Sequence, residues 1–140
     1  MPKPVILCVD DDRTILDSLK SQLYQVFSDH YYYEFAENGD DAIELMQELS
    51  TDQVDVVVIV SDWLMPGMKG DELLYQIHQK FPQVVKIMLT GQADKNSIAR
   101  AFEKANLHCC LAKPWEQDAL VKAINSGLAT GKTSARSFCV

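Results

Sequence analysis

Four places in this 140-residue chain carry side chains able to do chemistry together: the run Asp10-Asp11-Asp12, then Asp62, Thr90 and Lys113. Carboxylates gathered in one site repel one another unless a cation shares it. Hard carboxylate oxygens with no histidine or cysteine beside them favour Mg²⁺ over zinc or copper. A hydroxyl and an ammonium opposite the metal would complete a cradle for a phosphoryl group. Singly, each residue has a plainer use, since acidic runs cap helices and a Lys-Pro pair ends a strand. Their common position, at the end of an apolar run, makes them a set.

Those runs alternate with helical patterns. Val5–Val9 is apolar throughout and stops at the three aspartates. Ile15, Leu16, Leu19, Leu23, Val26 and Phe27 then recur three and four apart, as on one helix face. Residues 31–36 read as an aromatic strand, and Ala42, Ile43, Leu45, Met46 and Leu49 as a second helix. Residues 54–60 form the most apolar run, which suits a central parallel strand covered on both faces. After the Pro66-Gly67 loop, a helix over 71–80 stops before Pro82. Strands over 84–89 and 107–112 enclose a helix bearing Ile98, Ala101, Phe102 and Ala105, and a last helix covers 119–128. Five strands alternating with five helices predict a doubly wound α/β fold, a parallel sheet with helices on both faces. Ligands of such sheets bind beyond the carboxyl ends of the strands, where the chemistry-bearing residues fall.

At 15.8 kDa, with 47% apolar and 24% charged residues, the chain has the size and composition of one soluble domain. Thirteen basic against twenty acidic residues give a net charge of −7, which argues against nucleic acid or an anionic membrane as the main partner. No apolar stretch nears the roughly 18 residues that span a bilayer, and the start does not resemble a signal peptide. Cys8, Cys109, Cys110 and Cys139 lack metal-ligand spacing and read as reduced thiols of a cytoplasmic protein. Residues 1–4 are expected to be an N-terminal tail, 5–127 the domain, and 128–140 a flexible tail or linker stub.

These residues resemble the receiver domains of two-component response regulators. The resemblance lies in Asp10-Asp11 after Ile6-Leu-Cys-Val9 and in Asp62-Trp-Leu-Met-Pro-Gly-Met-Lys-Gly70. It continues in Met88-Leu-Thr-Gly91 and Lys113-Pro-Trp115. It implies a flavodoxin-like, CheY-like fold of five parallel strands in the order 2-1-3-4-5. It further implies that Asp62 accepts a phosphoryl group from a histidine kinase, a phosphotransfer protein or a small donor such as acetyl phosphate. Mg²⁺, with Mn²⁺ as a substitute, would be held by Asp11, Asp62 and the main-chain carbonyl of Leu64, with Asp10 acting through water. Thr90 and Lys113 would contact phosphoryl oxygens, and the Lys113-Pro114 bond would be cis. Output would pass through the helix near 98–105, the strand 107–112 and the helix 119–128 (the α4-β5-α5 face). The partner there would be an output domain, a target protein or a second copy in a homodimer. The domain would signal rather than act as an enzyme beyond its own phosphorylation and dephosphorylation.

Two positions depart from the family's common pattern. Cys110 stands where an aromatic residue usually couples phosphorylation to output, and Leu64 stands where a polar residue is frequent. Leu64 and Gln92 flank the approach of a hydrolytic water, so a long-lived phosphorylated state is expected. Asp12 is expected to cap the first helix or to face solvent. A rival reading takes Asp10-Asp11-Asp12-Arg13-Thr14 as the Asp-x-Asp-x-Thr motif of a haloacid-dehalogenase-like phosphatase, with Asp10 as nucleophile and Asp12 as general acid. That reading leaves Asp62 and its loop unused. A non-phosphorylated pseudo-receiver is the third reading, and the complete set of acceptor-site residues opposes it. The stretches 89–94 and 113–115 look like those of receivers fused to signalling enzymes, such as HD-type cyclic-dinucleotide phosphodiesterases or sensor kinases.

Overall fold

The computed structural model describes residues 3–91, 95–130 and 137–138. Its strands are β1 (Val5–Val9), β2 (Tyr32–Ala36), β3 (Val56–Asp62), β4 (Val85–Thr90), β5 (Cys109–Ala112) and β6 (Ser137–Phe138). Its helices are α1 (Arg13–Phe27), α2 (Gly39–Thr51), α3 (Gly70–Lys80), α4 (Lys95–Ala105) and α5 (Gln117–Thr130), and a short 3₁₀ turn covers Ser28–His30. The strands form one parallel sheet in the order β2-β1-β3-β4-β5-β6. The first five follow the predicted order. β6 is a correction, because part of the expected free tail pairs with β5. Helix α5 also runs to Thr130, past the boundary expected at 127.

Each face of the sheet buries its own core. Leu7, Val9, Ile59 and Met88 point toward Met46 of α2, Leu73 and Ile77 of α3, and Phe102 of α4. Alternate residues Ile6, Cys8, Val58, Val60, Ile87 and Leu89 meet Leu19 and Leu23 of α1 and Leu120 and Ile124 of α5. This alternation explains why β1 reads as an unbroken apolar run: both sides of a central parallel strand are covered.

Local signals set where the helices begin. The Asp12 carboxylate accepts the Thr14 amide at 2.9 Å and caps α1. Asn38 accepts the Asp41 amide at 2.8 Å and caps α2. Helix α3 carries Asp71 and Glu72 in its first turn and His78 and Lys80 in its last, which complements the helix dipole. Among the aromatics, Tyr31 and Tyr33 pack against the core while Tyr32 is exposed. No helix among the described residues is long and apolar enough to cross a membrane.

Candidate functional site

The strand ends are tied to one another by main-chain hydrogen bonds. The Asp10 amide donates to Ala36, Trp63 to Leu89, and Lys113 to Thr90, at 3.0–3.1 Å. This stitching brings the carboxyl ends of β1, β3, β4 and β5 to one level. There, one carboxylate oxygen from each of Asp10, Asp11 and Asp62 lies within 4.8 Å of the others. Asp10 and Asp62 are buried and Asp11 is exposed. The Lys113 ammonium reaches in from the end of β5, 2.8 Å from Asp62 Oδ1 and 3.1 Å from Asp10 Oδ2. The Lys113-Pro114 peptide is cis. Thr90 is buried at the end of β4.

The electrostatics follow from this crowding. Burial pushes the Asp10 carboxyl above its ordinary range, against the opposing pull of the Asp12 amide and the Lys113 ammonium. Burial alone would lower Lys113, but its hydrogen bonds to Asp62 and Asp10 outweigh that and hold it above its ordinary range. Three carboxylates against one ammonium leave negative charge over, and all the converging groups are hard oxygens. That donor set fits Mg²⁺. Asp12 stands outside the cluster with its carboxylate committed to the α1 cap, so it is not placed as a general acid.

The loop after Asp62 is held by glycine. The Gly70 amide donates to the Trp63 carbonyl at 2.8 Å. A Cβ built on Gly70 would lie 2.2 Å from the Asp62 carbonyl oxygen and 2.9 Å from Trp63 Cα. Any side chain would therefore drive the start of α3 off the end of β3. Gly67, at φ +79, makes the turn between them in a conformation that favours glycine. Within this loop Trp63 is buried with Lys69 Nζ 4.9 Å from its ring centroid, and Leu64 is 48% exposed. Gln92 lies outside the described residues.

The structure also places several groups outside the cluster. Trp63 and Trp115 both pack, the latter donating its indole N–H to Gln22 at 2.7 Å. His78 of α3 is partly buried, and its Nδ1 lacks a hydrogen-bond partner among the described residues. Cys8 and Cys110 are buried free thiols, but Cys109 is disulfide-bonded, against the expectation of wholly reduced cysteines. Cys139 lies outside the described residues. Lys86, unremarked in the sequence, is 1% exposed on β4 and donates to the Val84 carbonyl at 2.8 Å. The signal for it was present, a lysine at an inward position of an apolar strand. The contact of Gly70 with Asp62 had no sequence signal beyond the glycine.

A parallel α/β sheet with a carboxylate cluster and a lysine across its strand ends defines a phosphoryl-handling signalling domain. The chain belongs to the response regulator receiver domain family, whose profile matches residues 6–125. It is 30% identical to the chemotaxis protein CheY homolog of Campylobacter jejuni over 90% of this chain and 93% of that protein. It is also 27% identical to the hydrogenase transcriptional regulatory protein HoxA of Cupriavidus necator, over 88% of this chain. The chain spans about a quarter (24%) of HoxA. Among solved structures, the signal receiver domain of an HD domain-containing protein from Pseudomonas fluorescens is 31% identical, with a TM-score of 0.80. That match covers 91% of this chain and 96% of the other. The chain thus forms a CheY-like receiver domain of two-component signalling, homologous to the receivers of CheY and NtrC.

Proposed function

We propose that Asp62 is the phosphoacceptor. One observation carries the reading: the Lys113 ammonium bridges Asp62 at 2.8 Å and Asp10 at 3.1 Å inside a three-carboxylate cluster. In the transfer, an Asp62 oxygen attacks phosphorus in line. The bond from phosphorus to the donor breaks, and its electron pair leaves on the imidazole nitrogen of the donor histidine, which takes up a proton, or on acetate. Carboxylates are weak nucleophiles, so alignment and neutralisation of developing charge supply the catalysis. Lys113 and Thr90 meet phosphoryl oxygens. Asp11, Asp62 and the main-chain carbonyl of Leu64 would hold Mg²⁺, with Asp10 acting through water. Such an ion, when bound, would supply screening of the charge that gathers on the transferring group.

The donor is a sensor histidine kinase or a phosphotransfer protein, and the domain runs from residue 5 to the end of α5 at Thr130. The cytoplasm, where such kinases hold their phosphohistidine, is the compartment in which it works. Output leaves through the α4-β5-α5 face to an output domain or target protein. A module related to a receiver that adjoins an HD domain suits either arrangement. Cys110, 6% exposed within the core facing α4, has no ring to swing, so the switch uses other groups.

Incubation with acetyl phosphate and Mg²⁺ tests the reading. One phosphoryl mass should appear, and Asp62→Asn should abolish it. Phosphate recovered on Asp10 would overturn the assignment in favour of the phosphatase chemistry.

A further inference from the structure

The two edges of the sheet are finished differently. β6 covers the outer side of β5, whereas no strand among the described residues pairs with the outer side of β2. On its inner side, the Tyr32 amide donates to the Pro4 carbonyl at 2.9 Å, and the Ala36 carbonyl accepts the Asp10 amide at 3.1 Å. In a parallel ladder, residues that bond to one neighbour alternate with residues that face the other way. The amides and carbonyls of Tyr33 and Phe35 therefore point to the outer side, where they have no partner among the described residues. A lysine, a proline or a bulge commonly blunts such an edge. β2 reads Tyr-Tyr-Glu-Phe-Ala and keeps its register against β1, so it carries none of the three.

The edge lies in a groove of about 540 Å³ between α1 and α2, lined by Phe35 and Ala36 of β2. Its two walls differ in chemistry. The α2 wall presents Asp41, Glu44 and Glu48 and no basic residue. Glu34 faces the same side, because its neighbours Tyr33 and Phe35 pack toward α1. On the α1 wall the charges are balanced: Arg13 pairs with Glu37 at 3.4 Å, and Asp17 stands beside Lys20. Tyr24 of α1, 55% exposed, meets the ring of Tyr33 edge to face with centroids 6.2 Å apart. One wall thus attracts cations, and the other offers apolar surface. A second copy of the chain fits poorly there. Two β2 edges meeting antiparallel would set α2 beside α2, carboxylates against carboxylates.

We propose that the β2 edge is a docking site for an extended, cationic segment of a partner protein, which joins the sheet as a further strand. The segment's main chain bonds to Tyr33 and Phe35. Its lysine or arginine side chains meet the carboxylates of α2, and the alternate, apolar side chains cover Tyr24 and Tyr33.

The test uses the full-length protein without Mg²⁺ or phosphodonor, so a failure of Asp62 chemistry leaves the result untouched. The probe is the acetylated, amidated peptide Lys-Val-Lys-Val-Lys-Val-Lys, whose lysines and valines fall on opposite faces when extended. It should bind saturably in a chemical-shift titration. At about ten times its dissociation constant it should slow hydrogen exchange at the Tyr33 and Phe35 amides about tenfold. Glu44→Gln combined with Glu48→Gln, both at exposed positions, should weaken binding about tenfold, since one exposed ion pair contributes up to roughly fivefold. The peptide methylated at every backbone nitrogen keeps its charge but cannot donate, and it should not bind. Lack of saturation in the millimolar range would overturn the proposal, as would equal binding by Glu-Val-Glu-Val-Glu-Val-Glu or by the methylated peptide. A dimer in sedimentation that excludes the peptide would give the groove to a second copy and overturn it too.

Discussion

Replacing Gly70 with alanine tests whether the phosphoacceptor is positioned by the backbone contact at the start of α3. The new Cβ would sit 2.2 Å from the Asp62 carbonyl oxygen, and its other close neighbours, Trp63 Cα and Asp62 C, are also main chain. No side-chain rotation relieves the clash. The helix start must retreat by about 1 Å, or the end of β3 must tilt. Overpacking of this kind costs about 1–3 kcal/mol, offset by about 1 kcal/mol from the better helix propensity of alanine. A net loss of roughly 1 kcal/mol should appear as a lower urea midpoint. The chemical effect should be larger, because a displacement of about 1 Å in a reacting group costs on the order of 10²-fold in rate. The assay is the initial rate of phosphorylation by acetyl phosphate at saturating Mg²⁺, read by intact mass. Gly67→Ala is the control: at φ +79 it loses about 1 kcal/mol of stability, but no heavy atom lies within 4 Å of its Cβ. It should phosphorylate within a few-fold of wild type. Gly70→Ala reacting at the wild-type rate would refute the positioning argument.

Asp11→Asn should weaken Mg²⁺ binding, followed by Trp63 fluorescence, far more than Asp12→Asn, because Asp12 is spent on the α1 cap. Equal losses would sink that division. Leu64→Asn should speed loss of the phosphoryl group once the donor is removed, by up to about two orders of magnitude if the amide orients a water. Unchanged loss would show that Leu64 gives no protection. Burial pulls the Lys86 ammonium down from 10.5 to about 8. Its folded-state value is the lower one, so the unfolded chain binds the extra proton, and stability should rise as pH climbs from about 8 toward 10.5. Below pH 8 the penalty is about 3 kcal/mol. Lys86→Met should therefore raise stability at pH 7 by about 2 kcal/mol, allowing for the lost hydrogen bond to Val84, and should flatten the alkaline rise in urea titrations. A destabilised variant would contradict this.

The strands and the candidate site were legible because the same physics wrote both. A central parallel strand is apolar on both faces, so a run such as Val5–Val9 announces itself, and the first polar residues after it fall at the carboxyl edge. Asp10, Asp62, Thr90 and Lys113 could be grouped on that basis alone. What escaped were features that exist only through space. The need for glycine at 70 comes from a carbonyl eight residues earlier, across a loop. The burial of Lys86 depends on α3 and α4 closing over β4. β6 has two residues and little apolar pattern, and its pairing depends on the free edge of β5 rather than on its own sequence.

The buried thiols give the molecule an internal clock. Only a thiolate reacts with a disulfide reagent, and burial pushes the Cys8 thiol up to about 12 and that of Cys110 to about 11. Neither can be modified until the structure around it opens. Cys8 lies at the middle of the central core, at 0% exposure, so its labelling rate counts whole-domain openings. Cys110 sits on β5, nearer the rim of the sheet, and its rate counts the smaller openings of that rim. One reagent and two sulfur atoms thus separate the breathing of the β5 side from the unfolding of the whole. Ligation at the carboxyl ends of the strands would register as two different slowings.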